Sequence, residues 1–119
     1  MHTPQDEESK RLPFEEAASG AVALETLLPA ALRLYHAELL TLQELFRAMA
    51  LNPAQRLGLA SGRLEAGAPA DLVLFDPEAP FVLDRFKLKS KSKNTPFDGQ
   101  RMQGKTRATY VGGVAVYQS

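Results

Sequence analysis

Apolar residues recur at helical spacing through the first half of the chain and gather into short unbroken runs in the second. Val22, Leu24, Leu27, Leu28, Ala31, Leu32 and Tyr35 fall about three or four positions apart, which is one face of a 3.6-residue period. The pattern predicts helix over residues 17–59. Pro29 should kink it or split it, because the ring removes an N–H and crowds the preceding turn. Thr41 with Glu44 three residues on fits a capping box, and Leu42, Leu45, Phe46 and Met49 supply the buried stripe of the helix it starts. Asn52 and Pro53 predict a restart, with Asn52 as N-cap and Pro53 at the first helical position. Gly58 is the expected stop.

Past Gly62 the period changes. Leu72, Val73, Leu74 and Phe75, bounded by Asp71 and by Asp76 with Pro77, predict a short buried strand with Leu72 and Leu74 in the core. Phe81, Val82 and Leu83 suggest a second one. Residues 87–104 are basic and polar, broken by Pro96, Gly99 and Gly104, and predict a loop. Residues 106–111 and 114–118 flank Gly112 and Gly113, a hairpin signal whose glycines reach positive φ without strain. Residues 1–16, with Pro4, Pro13 and the acidic run Asp6, Glu7, Glu8, predict a solvated loop. The expected class is α+β, a helical part over residues 1–60 followed by a strand-rich part over residues 61–119.

A length of 119 residues suffices for one compact domain or two small ones. Fourteen basic residues balance fourteen acidic ones, so no net field draws in phosphate or anionic lipid. Neither nucleic acid nor membrane is an expected partner. The alternation Lys87, Lys89, Lys91, Lys93, with Arg85 before it, lacks the aromatics or recognition fold of a nucleic-acid strip. It reads as a solvated loop or a contact to a barrel face outside this chain. The absence of cysteine excludes a disulfide frame and a thiolate zinc site. Residues 20–34 are interrupted by Glu25, Thr26, Pro29 and Arg33 and cannot span a bilayer, and the polar start is unlike a signal peptide. A cytoplasmic protein is expected. Of the two histidines, His36, beside Tyr35 and near Glu38, reads as a surface residue.

Four segments in order carry a resemblance. His2, Thr3, Pro4, Gln5 and Asp6, then Glu8 through Ala17, resemble the stretch around the Asp-His-Ala-Pro motif of dihydroorotases. Residues 20–29 resemble that family's Gly-x-Val-Gly-Leu-Glu-Thr segment, with Ala23 in place of the usual glycine. Residues 62–72 carry the Gly-x-Leu-x-x-Gly-x-x-Ala-Asp-Leu pattern shared across amidohydrolases. Ser90, Lys91, Ser92, Lys93, Asn94, Thr95, Pro96 and Phe97, followed by Gly104 and the hairpin, again resemble dihydroorotase, especially the bacterial long-chain type.

The resemblance implies a (β/α)₈ barrel with a metal site at its C-terminal mouth, plus a small β domain assembled from both chain ends. This chain would hold the last helices of that barrel and strands of the β domain, since a whole barrel takes at least about 200 residues. Zinc in that family polarises a cyclic amide and activates water. A catalytic zinc takes about three protein ligands, and the family's His-x-His pair is not in this sequence. The family's late aspartate falls at Met1 and its second motif histidine at Gln5. No catalytic residue, metal ligand or cofactor is therefore expected within the chain itself. By resemblance, His2 and the Ala18, Ser19 and Gly20 backbone would remain as substrate-binding positions. Met1 falling inside the motif fits a truncation or a misplaced start. Two other readings stand beside it: a non-catalytic partner of aspartate carbamoyltransferase, and a piece of a hydantoinase- or allantoinase-type cyclic amidase. Helix faces that pack on barrel strands in the family would be left bare and would self-associate. Light scattering of the purified chain should show oligomers, with binding of a dye specific for apolar surface; a dye-silent monomer contradicts the expectation.

Overall fold

The structure, a computed structural model, describes residues 2–119. Met1, and with it the position matched to the family's aspartate, lies outside the described residues. Two compact units share the chain: residues up to Ala30 with Pro80–Met102, and Ala31–Ala79 with Gln103–Ser119. The compositional change near residue 60 lies inside the second unit, because each unit is closed by segments distant in sequence.

In the first unit, the acidic run expected as loop forms a one-turn helix, α1 (Glu7–Lys10). Asp6 caps it, its Oδ1 accepting the Ser9 N–H at 2.7 Å. That backbone donor is the main reason the Asp6 carboxyl is held below the usual aspartate range. Val22, Leu83, Leu88 and Met102 form the core, with Ala30, Phe81 and Phe97 packed against it. Asp84 caps a 3₁₀ turn (Arg85–Lys87) by accepting the Phe86 N–H at 3.0 Å.

Helix α2 (Leu27–His36) begins ten residues later than the apolar pattern suggested. The preceding segment is drawn off by distant partners: Ala21 accepts the Thr3 N–H at 2.7 Å and Val22 donates to Asn94 O at 3.0 Å. Pro29 neither kinks nor splits α2. It is the third helical residue, where N–H groups lack an acceptor within the helix anyway. The helix ends at Glu38, which holds φ 58°. The N–H of Glu38 reaches Tyr35 O and that of Leu39 reaches Leu34 O, both at 3.0 Å, a Schellman ending that glycine usually provides.

In the second unit α3 (Leu42–Phe46), a π turn (Arg47–Leu51) and α4 (Asn52–Arg56) run on without a break. Thr41 caps α3, its Oγ1 accepting the Glu44 N–H and donating to Glu44 Oε1, each at 3.1 Å. Asn52 is not an N-cap. Its backbone is helical, φ −63° and ψ −46°, and its N–H reaches back five residues to Arg47 O. Pro53 explains the wider turn: its ring would crowd the carbonyl four residues earlier, and π geometry relieves that. Gly58 ends α4 at φ 68°, with Gly58 N–H to Gln55 O at 3.2 Å and Leu59 N–H to Ala54 O at 2.8 Å. Leu32, Leu45 and Ala54 are buried, and the Phe46 and Phe75 rings lie 5.3 Å apart.

Three strands, β1 (Leu72–Val82), β2 (Arg101–Val111) and β3 (Val114–Gln118), form one sheet in the order β1-β2-β3. The two short strands expected around Phe75 and Phe81 are one, and the expected loop yields its last residues to β2. Pro77 and Pro80 sit within β1, which is an edge strand of the sheet, the place where proline is tolerated. Leu74 is 53% exposed, which corrects its expected burial; an unbroken apolar run is buried on both faces only where layers cover both. Leu72 is partly buried. The hairpin is as expected: β2 and β3 pair antiparallel, Val111 opposite Val114, with an irregularity after Thr109 that leaves Val116 as the extra residue. Gly112 and Gly113, at φ 55° and 79°, make the turn.

The caps separate by measurement. Thr41→Ala should lower unfolding stability by about 1 kcal/mol in urea titration. Asn52→Ala should change it by less than about 0.5 kcal/mol; an equal loss at both positions would restore Asn52 as a cap.

Candidate functional site

The positions suggested as a substrate rim come together in the first unit. His2 Nδ1 accepts the Ala23 N–H at 2.9 Å, with the Leu24 N–H at 3.4 Å. That bond fixes the ring's tautomer: Nδ1 carries the lone pair and the neutral imidazole keeps its proton on Nε2. A metal needs a bare nitrogen, and in this arrangement neither is free for one.

Gly20 sits against Thr3. At φ 116° it occupies a region side chains rarely adopt, and a Cβ there would meet Thr3 Cγ2 at 2.5 Å and Thr3 Cβ at 2.6 Å. Only glycine permits this approach. The carbonyls of the neighbouring segment are already engaged. Lys10 Nζ donates to Ala18 O at 2.8 Å and Gly20 O at 3.0 Å, and Gln5 Nε2 donates to Ser19 O at 3.4 Å. Gln5, standing where the family has a histidine, is thus a tie within this unit.

His2, Val22, Leu24, Thr26, Leu88 and Glu25 line part of a cleft of about 300 Å³. Glu25 looks like a candidate base there, but its Oε1 accepts the Lys89 N–H at 2.7 Å and the Ser90 N–H at 3.3 Å. It anchors the backbone opposite. Lys93, expected to be solvated or turned toward an absent barrel, donates to Leu88 O and Ser90 O, each at 2.6 Å, closing its own loop. The sequence reading missed Asn94, Lys10 and Glu25 as ties. Their only signal was membership of the matched segments.

In the second unit the Ala-Asp step of the shared pattern has a similar use. Asp71 Oδ1 accepts the Gly112 N–H at 2.8 Å and Ala70 O accepts the Gly113 N–H at 3.0 Å. The hairpin turn is clamped from outside its own strands. His36 is less exposed than expected, its side chain 22% accessible. Its Nε2 lies 2.9 Å from Pro77 O and donates to it. Among the described residues no three His, Cys, Asp or Glu side chains gather to hold a metal. The residues present do not by themselves fit a zinc centre. Among the same residues no helix is long and apolar enough to cross a membrane.

The model of the Amidohydrolase family matches residues 16–117. The chain belongs to the amidohydrolase family. Over 117 residues this amidohydrolase chain is 45% identical to a dihydroorotase of Geobacter metallireducens and covers 98% of itself and 28% of that protein. A dihydroorotase of Geotalea daltonii is 43% identical with the same coverage. The chain thus spans about a quarter of the length of these relatives, and the likeness to dihydroorotases read from its motifs is borne out. Among solved structures, L-hydantoinase (dihydropyrimidinase) from Arthrobacter aurescens superposes with a TM-score of 0.82 at 33% identity, over 87% of this chain and 24% of that one. Dihydropyrimidinase from Brevibacillus agri superposes at 0.88 with 20% identity, over 98% of this chain and 27% of that one. The latter likeness is one of fold.

Gly20→Ala should lower stability by at least about 2 kcal/mol, combining backbone strain with overpacking against Thr3. A urea midpoint unchanged at constant slope would show that the close approach does not exist.

Proposed function

We propose that this amidohydrolase chain is the C-terminal part of a dihydroorotase-type enzyme and supplies one wall of its substrate site. The parent reaction is the reversible hydrolysis of dihydroorotate to N-carbamoyl-aspartate, a step of pyrimidine biosynthesis in the cytoplasm. The observation that carries the reading is the 45% identity to a dihydroorotase across 98% of this chain. In this reading the last helices of a (β/α)₈ barrel and strands of its small β domain lie in the chain, while zinc and its ligands belong to the remainder. Zinc, when bound there, would polarise the amide carbonyl and activate water.

What this chain's own residues would do is position and exclude. Gly20 and Ser19 would present backbone to the ring of the cyclic amide, and their carbonyls are held still by Lys10, Gln5 and Asn94. His2, proton on Nε2, would offer a donor to a substrate oxygen. The apolar lining by Val22, Leu24 and Leu88 would limit water beside the reacting amide. Alone, the chain would bind no catalytic zinc and turn over nothing.

A hydantoinase-type substrate is the second reading, favoured by the 33% identity to L-hydantoinase. Both substrates are cyclic amides, so the hydrolytic chemistry is shared, while the rings differ in size and in the carboxylate that dihydroorotate carries.

Metal analysis joined to a hydrolysis assay tests the proposal. The purified 119-residue chain should hold far less than one zinc and leave dihydroorotate intact. The reading frame extended upstream should encode a His-x-His pair and hydrolyse dihydroorotate in preference to hydantoin. Tightly held stoichiometric zinc with turnover by the short chain overturns it.

A further inference from the structure

We infer that Asn94 is the positioning residue of this rim: one side-chain amide sets the placement of both His2 and Gly20. The inference rests on the proposed function only in calling those residues a substrate rim; the geometry stands independently.

Asn94 ties two segments at once, residues 3–5 and residues 20–22. Its Oδ1 accepts the Gln5 N–H at 3.1 Å, and its Nδ2 donates to Thr3 O at 3.0 Å and Gly20 O at 3.3 Å. Its main-chain oxygen accepts the Val22 N–H at 3.0 Å. These contacts cross 89, 91 and 74 residues of sequence for the side chain alone. Only a carboxamide offers both the acceptor and the two donors required here. Aspartate would keep an acceptor for Gln5 and turn a negative charge on the two carbonyls; alanine would offer nothing.

The amide is itself held from the core side. Lys93 closes the loop before it onto Leu88 O and Ser90 O. Thr95 Oγ1 accepts the Phe97 N–H at 3.2 Å after it, and Phe97 packs on the core with Leu88. The order of dependence follows. The core and Lys93 place Asn94, Asn94 places Thr3 and Gly20, and Thr3 N–H to Ala21 O brings His2 Nδ1 to the Ala23 N–H. Asn94 donates to no reacting atom, so its effect passes through His2 and Gly20.

Amide exchange and imidazole ¹⁵N shifts of the labelled chain test this. The Ala23 N–H and the His2 ring report the rim, the Gln5 N–H reports the Asn94 side chain directly, and the buried Leu83 N–H, bonded to Gln100 O in the same unit, reports opening of that unit. In Asn94→Asp, Gln5 should stay protected while Ala23 exchanges about tenfold faster and the His2 Nδ1 shift leaves the value of a hydrogen-bonded acceptor. In Asn94→Ala, Gln5 should lose protection as well. Leu83 should not change in either.

Loss at Gln5 alone in Asn94→Ala, with Ala23 and His2 unchanged, would make Asn94 a local tie and overturn the inference. Should Asn94→Ala open the whole unit, Asn94→Asp and Asn94→Ser decide; equal acceleration at Leu83 and Ala23 in all three also overturns it. None of these readouts needs turnover. Failure of the dihydroorotase reading in the zinc and hydrolysis assay would leave them standing, and their failure would leave that reading untouched.

Discussion

A backbone N–H or carbonyl that leaves regular structure still needs a partner, and long stretches of this chain are irregular. Side chains from far along the sequence supply the partners. Lys10 and Gln5 hold the carbonyls of residues 18–20, Glu25 holds the N–H groups of Lys89 and Ser90, and Asp71 holds the turn glycine Gly112. Take these ties away and the loops keep their composition but lose their places. In the first unit the candidate rim is made almost wholly of such loops.

The family motifs acquire a physical meaning on this basis. Glu25 lies in the Gly-x-Val-Gly-Leu-Glu-Thr match, Asp71 in the Ala-Asp step, and Lys93 and Asn94 in the Lys-Asn-Thr-Pro-Phe run. Each of the four binds backbone. In this quarter of the relatives' length, these motif residues hold the backbone in place. Hydrolytic chemistry, under the proposed function, belongs to the rest of the enzyme.

Strain and exposure tell a consistent story of a scaffold shaped by more than local preference. Glu38 takes a left-handed conformation at a helix end where glycine would be unstrained. Pro53 stands inside a helical run and is tolerated because a π turn widens ahead of it. Leu74 and Val116, at 53% and 61% exposed, are apolar positions that the proposed parent enzyme would cover.

Short-range grammar was legible in the sequence alone. The Thr41 cap, the Gly58 stop, the two-glycine hairpin and the family itself could be read there, because each signal is confined to a few neighbouring residues or to their order. The sequence could not tell that Asn52 continues a helix, that Pro29 falls harmlessly in a first turn, or that one strand runs through Pro77 and Pro80. It could not single out Asn94. Asn52 and Pro29 turn on where a helix begins and widens, and the ties of Glu25 and Asn94 join residues 64 to 91 positions apart. Local propensity has no knowledge of such partners; the path of the folded chain creates them.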